Sequence, residues 1–331
     1  MGRNELGRID RMQADRATNA KRAVLLMAYG GPTSLEEVEP YVMDIRGGRP
    51  LAPKILEEIK ERYRKIGGRS PLLAITQRQA MALEDELARN GLPAQMFVGM
   101  RHWFPYIRDA VQAIAASGIR QVIAICMTPQ YSKLSVGAYF SQYRAAVKES
   151  GAALETAYVE QWHTRPELVR AYANKVSEAM LRFPEAERRE TEVVFTAHSL
   201  PASRLDADDP YDSQQRETAA RVAEKVGNLK WSLAYQSQGY SKDRWLGPRV
   251  EDRLRELAQA GVRNVLIAPT GFVCDHVEIL YDVDIAFREL ATSLGMRVER
   301  SASLNDDPLL IKSLAALVRE ITQVAGQDRL S

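Results

Sequence analysis

Short apolar runs alternate with amphipathic helical patterns along almost the whole chain, and that alternation restricts the possible folds more than any other feature of the sequence. The runs lie at 23–29, 95–100, 121–127, 155–160, 192–198, 231–236, 264–269 and 297–301. Several are nearly continuous in apolar residues, such as Val24-Leu25-Leu26-Met27 and Val193-Val194-Phe195. A strand wet on one face would alternate apolar with polar, so these runs read as parallel strands covered on both faces. Helical patterns fill the gaps. Ser34 to Glu37 has the form of a capping box. Pro53 suits a first helical turn and Gly67 its end. One helix is expected over 275–294 and another from Pro308 to Val324.

The two halves echo each other. Gly118-Ile-Arg-Gln-Val-Ile-Ala-Ile resembles Gly261-Val-Arg-Asn-Val-Leu-Ile-Ala, and each half then carries four strands in the same order. The expected fold class is therefore α/β, with two similar doubly wound, Rossmann-like domains. Each has a four-stranded parallel sheet flanked by helices, and the two face across a cleft. The length of 331 residues accommodates both. The expected divisions are a disordered leader at 1–22, domains at 23–155 and 156–305, and a C-terminal helix at 306–331 that returns to the first domain.

Charge and composition remove several functions. With 45 basic and 43 acidic residues the net charge is +2, which gives no electrostatic reason to expect nucleic acid. No apolar run approaches the ~18 residues of a membrane-spanning helix. The first 22 residues lack the apolar core of a secretory signal. Gly30-Gly31 follows the first strand, but neither nucleotide-binding glycine motif is present, so the pair is read as a tight turn and no nucleotide is expected. Cys126 and Cys274 form no CxxC pair and are read as buried free thiols; no iron–sulfur cluster is expected.

The chemistry-bearing residues gather at strand ends. The run from Glu192 stops at His198. The run from Asn264 leads to Asp275, His276, Glu278, Asp282 and Asp284. Ligands of open α/β sheets sit at the carboxyl ends of strands. A neutral imidazole beside carboxylates suits proton acceptance and the handling of a divalent metal. At roughly 100° per residue, Asp275, Glu278 and Asp282 fall within about 60° on one helix face. His276 points away from that face and is read as an anchor of the helix. His102 lies at the binding edge of the first half, and His163 reads as a surface loop residue.

Seven segments in order carry a closer resemblance: Met27-Ala-Tyr29-Gly-Gly-Pro, Ile66-Gly-Gly-Arg-Ser-Pro71-Leu72, Thr196-Ala-His198-Ser-Leu-Pro, Asp209-Pro-Tyr211, Gln236-Ser-Gln, Trp245-Leu-Gly-Pro248 and Gly271-Phe-Val-Cys-Asp-His-Val-Glu278. As an ordered set over about residues 22–325 they closely resemble the ferrochelatases, which insert Fe2+ into a porphyrin. The resemblance implies that His198 and Glu278 are catalytic and that His198, Glu278 and Asp282 handle the Fe2+ substrate. Many relatives carry a further acid where this chain has Ala286. Tyr29 matches the branch that uses coproporphyrin III, and Arg46, Arg62, Tyr63, Ser70 and Tyr139 match its propionate-holding positions; Arg49 and Arg69 are weaker candidates. The reaction implied gives coproheme in haem biosynthesis. The alternatives are a protoporphyrin IX ferrochelatase and a non-catalytic tetrapyrrole or haem carrier. The resemblance further implies a cytoplasmic monomer without a transmembrane segment, working beside other haem-pathway enzymes.

Overall fold

The computed structural model describes residues 22–227, 229–239 and 241–327. The leader expected at 1–22 lies outside them, except for Arg22, which opens the first strand. The first half runs β1 (Arg22–Ala28), α1 (Val38–Ile45), α2 (Pro53–Lys65), α3 (Leu72–Arg89), β2 (Gln95–Met100), α4 (Ile107–Ala116), β3 (Gln121–Cys126), α5 (Val136–Ser150) and β4 (Glu155–Val159). The second runs α6 (Pro166–Met180), β5 (Glu192–His198), α7 (Tyr211–Val226), β6 (Lys230–Gln236), α8 (Val250–Gln259), β7 (Asn264–Ala268), α9 (Val277–Leu280), α10 (Arg288–Ser293), β8 (Arg297–Arg300) and α11 (Pro308–Gln327).

Two four-stranded sheets result, ordered β2-β1-β3-β4 and β6-β5-β7-β8, with every pairing parallel. The order is the same in both, as the internal echo implies. β1 explains the continuous apolar runs. Ala23, Leu25 and Met27 pack with residues of α4 and α5, while Val24, Leu26 and Ala28 join a second cluster on the opposite face. Successive side chains alternate faces, so a strand covered twice must be apolar at every position.

The second cluster spans both halves. It joins Leu26 and Ile123 of the first sheet to Val193 and Phe195 of the second through α3, α6, α7 and α11. On α11, Leu310, Leu314 and Val318 recur at helical spacing and are fully buried. Each such side chain contributes about 1.5–3 kcal/mol of apolar burial. α11 packs on both α3 and α6. A polar seam also crosses between the halves. The Tyr131 N–H donates to Gln214 Oε1 at 2.7 Å, and the Ser132 hydroxyl donates to Asp209 at 2.9 Å. No helix among the described residues is long and apolar enough to cross a membrane.

Two local expectations need correction. The helix over 275–294 is interrupted. His276 is extended, α9 is a single turn, and Asp282–Phe287 forms a π-turn before α10. The Ala286 N–H reaches back five residues to the Tyr281 carbonyl at 3.0 Å. Apolar periodicity still pins Ile279, Val283, Phe287 and Ala291 to the core, so the pattern looked regular while the backbone was not. The Ser34–Glu37 box is also displaced. α1 starts at Val38, and Glu37 accepts from the backbone N–H and the hydroxyl of Thr33, at 2.7 and 2.8 Å.

Candidate active site

β5 stops at His198, where the chain turns away. The imidazole Nδ1 faces the Ser199 carbonyl, and the Tyr211 hydroxyl donates to the His198 carbonyl at 2.9 Å. An Nδ1–H given to Ser199 leaves Nε2 as the reactive nitrogen. Nε2 lies 3.5 Å from Glu278 Oε1. The approach depends on Gly271. Its N–H donates to the Thr196 carbonyl at 2.9 Å, and a Cβ there would sit 2.6 Å from the Ala197 Cα. The loop after β7 can therefore pass against β5 and deliver Glu278 to the strand end.

Glu278 and Asp282 are held from β6. The Gln236 amide donates to the Glu278 carbonyl at 2.7 Å, and the Ser237 hydroxyl donates to Asp282 at 2.6 Å. Ser237 has φ +60°, a left-handed conformation that non-glycine residues seldom adopt and that concentrates at functional sites. Arg62 of α2 approaches Asp282 at 3.8 Å, and its guanidinium lies 5.3 Å from the Tyr281 ring centroid.

These contacts set the proton affinities. Burial alone would lower the His198 pKa, but the Glu278 carboxylate, helped by the Ser199 carbonyl, raises it. Burial would raise Glu278, yet His198 brings it below the usual carboxylate range. Asp282 is pushed up to about 6 by burial, with the Glu278 charge adding to the rise and Ser237 and Arg62 opposing it. An imidazole with enhanced basicity thus faces an ionised carboxylate, and a second carboxyl one turn on titrates near neutrality.

The first sheet carries a ring of its own at its carboxyl edge. Tyr29 follows β1 with its ring 4.8 Å from that of His102, and it is 40% exposed. Gly30 makes the turn behind it. Its φ is +98°, and a Cβ there would sit 2.9 Å from the Trp103 nitrogen. His102 Nδ1 lies 3.0 Å from Asp44. Burial pushes the Tyr29 phenol up to about 12, against the pull of Arg101. The Glu278 charge also raises the phenols of Tyr29 and Tyr63. The carboxylate of the second half thus acts, weakly beside burial, on both phenols of the first.

The other expected residues occupy different settings. Tyr63 is buried with Tyr41, Val38, Val42 and Trp103. Ser70 is buried against Gly31, and its hydroxyl accepts from the Leu72 N–H at 3.3 Å. Tyr139 is buried in the outer core of the first half, with the Arg101 guanidinium 5.4 Å from its ring centroid. Arg46 and Arg49 exchange hydrogen bonds from Nε to each other's carbonyls, both at 3.0 Å, which ties off the loop after α1. Asp275 does not join the acidic face expected of it. Arg300, Ser303 and Asn305 hold its carboxylate at 3.3, 2.7 and 2.9 Å. His276 does anchor the segment, but as the N-cap of α9, where Nδ1 accepts from the Glu278 N–H at 3.1 Å. His163 is no surface residue; it is 5% exposed and lies 3.0 Å from Glu217.

Sequence reasoning missed the roles of Gln236, Ser237, Tyr211, Asp44 and Arg101. The first three lie in segments that carried the resemblance, so position could have flagged them. Asp44 and Arg101 gave no such signal. Arg101 has a buried Nε without a hydrogen-bond partner.

Two parallel sheets wound in the same order, with reactive side chains at their carboxyl edges, define the chelatase architecture. The structure is similar to SirB from Bacillus subtilis with Fe3+, at a TM-score of 0.56 and 12% identity, covering 90% of this chain and 94% of that one. SirB from Bacillus subtilis subspecies spizizenii in complex with cobalt is similar at a TM-score of 0.51 and 11% identity, with 90% and 94% covered. Sequence narrows the class. The ferrochelatase family profile matches residues 21–322. A ferrochelatase of Deinococcus radiodurans is 45% identical over 93% of this chain and 99% of its own length. A coproporphyrin III ferrochelatase of Geobacillus kaustophilus is 37% identical over 89% and 94%. The chain belongs to the ferrochelatase family, whose activity is the insertion of Fe2+ into a porphyrin.

Proposed function

We propose that this ferrochelatase acts on coproporphyrin III, with the macrocycle seated between Tyr29 and the His198–Glu278 pair. The observation that carries this reading is the placement of Tyr29. Its phenol stands at the carboxyl end of β1 within electrostatic reach of Glu278, on the opposite half of the molecule. The relatives named coproporphyrin III ferrochelatases support the same substrate.

Metallation exchanges two pyrrole N–H protons for one Fe2+. His198 Nε2 accepts one proton, and the nearby Glu278 carboxylate stabilises the imidazolium that forms. The second pyrrole proton passes to Asp282, which is pushed up to about 6 and can hold it once Fe2+ has moved on toward Glu278. Arg62, whose side chain is 40% exposed, offers its guanidinium to a propionate; Arg46 would first have to release the Arg49 carbonyl, and Tyr63, Ser70 and Tyr139 are too deeply buried to reach a propionate without local rearrangement. Arginine is suited to bidentate carboxylate binding, and coproporphyrin brings four carboxylates where protoporphyrin brings two.

The test is anaerobic turnover with Fe2+ and each porphyrin, separately and in competition. kcat/KM for coproporphyrin III is expected to exceed that for protoporphyrin IX by at least about tenfold, roughly 1.4 kcal/mol of transition-state discrimination. A preference for protoporphyrin would defeat the substrate assignment. Consumption that stops after one equivalent would indicate a carrier.

A further inference from the structure

Besides His198–Glu278 and His163–Glu217, the described residues include a further histidine–carboxylate pair. His102 follows β2, and its Nδ1 lies 3.0 Å from Asp44 Oδ2. Asp44 belongs to the last turn of α1, and its other oxygen accepts from the Tyr106 hydroxyl at 3.4 Å. His102 is bound to Tyr29 in two ways. Its backbone N–H donates to the Tyr29 carbonyl at 2.9 Å, and the two rings pack at 4.8 Å with planes 54° apart. The His102 side chain is 12% exposed and that of Asp44 33%. The line of contacts runs from α1 to the phenol without interruption.

We propose that Asp44 is a positioning residue, which fixes the ring plane and tautomer of His102 and thereby aims the Tyr29 oxygen at the iron of the metallated product. The inference rests on the macrocycle's proposed seat beside Tyr29, to which it adds that the phenol oxygen meets the iron. A carboxylate on Nδ1 keeps that nitrogen protonated and stops the imidazole from flipping. The Tyr29 ring leans on this fixed surface and remains 40% exposed. On ferric coproporphyrin III supplied already oxidised, the phenol oxygen bonds to the iron, the O–H bond breaks and the proton passes to solvent. The Fe–O distance then depends on a ring that Asp44 holds. Because α1 and α2 form one cluster that includes Tyr63 and Trp103, the same hairpin that carries Arg62 also sets the phenol.

The test uses full-length protein with ferric coproporphyrin III, read by the phenolate-to-iron charge-transfer absorption and by affinity. The variants are Tyr29→Phe, Asp44→Ala, Asp44→Asn and His102→Phe. The band is expected in the wild type and absent in Tyr29→Phe. Asp44→Ala is expected to lose most of the band and bind the product about tenfold more weakly, the usual loss when the group behind a metal-facing residue is removed. Asp44→Asn retains an acceptor for Nδ1–H and is expected to keep the band. His102→Phe preserves ring packing without the anchor, and serves if Asp44→Ala fails to fold. A wild-type band in Asp44→Ala or His102→Phe overturns the positioning role while leaving Tyr29 as a ligand. An unchanged spectrum in Tyr29→Phe instead removes the reading beneath it.

Discussion

Replacing Asp282 with Asn is expected to make the protein more stable at neutral pH and a poorer catalyst. Asp282 is 9% exposed, and its carboxyl is pushed up to about 6 from an ordinary 3.8. The folded state therefore binds the proton more tightly than the unfolded chain does. For a carboxyl raised in this way, stability is highest at low pH and declines as pH climbs from about 4 to about 6. A displacement of about two pH units corresponds to about 3 kcal/mol at full ionisation, at 1.36 kcal/mol for each. Asparagine never ionises, and its carbonyl still accepts from Ser237. The opposing pulls of Arg62 and Ser237 are already contained in that displacement, so the expected gain stays at about 3 kcal/mol. Urea unfolding of both proteins from pH 4 to pH 8 reads the difference directly. The curves should lie close together near pH 4 and separate by about 3 kcal/mol at pH 7 and above. A difference independent of pH, or a variant less stable at pH 8, would refute the argument that burial and Glu278 dominate this site. Fe2+ turnover should fall in the same protein.

Two other perturbations probe the neighbouring contacts. Glu278→Gln removes the charge that holds His198 up, so burial should dominate and its titration midpoint should drop; NMR of labelled histidine reads this, and an unmoved midpoint contradicts the pairing. Gly271→Ala forces a Cβ to 2.6 Å from the Ala197 Cα, which should cost about 3 kcal/mol in denaturant unfolding and weaken metallation by displacing Glu278; wild-type stability would show that the loop has room.

The strands were legible because burial on both faces leaves a long apolar signature, as β1 and β5 show. The placing of Tyr29 and His198 was legible because strand ends are readable, and both stand at the carboxyl ends of strands. The path from Asp275 to Asp282 was not. A count of 100° per residue assumes an unbroken helix, and the π-turn at Asp282–Phe287 violates it while keeping the apolar positions in the core. Asp275 is drawn aside by Arg300, Ser303 and Asn305, partners some 25 to 30 residues away that no local pattern announces. The same holds for His163, whose partner Glu217 comes from α7. Asp44 met His102 across 58 residues for the same reason. Long-range polar pairs leave no period in the sequence.

The helices α3, α6, α7 and α11 serve both sheets at once, and this has a mechanical corollary. Neither half made alone would have its inner face covered, so the two jaws share a common floor and cannot drift apart without breaking it. The hairpin of α1 and α2 keeps a small apolar cluster of its own, centred on Tyr41, Tyr63 and Trp103. A change of shape on binding a flat guest is therefore expected in that hairpin rather than between the two sheets.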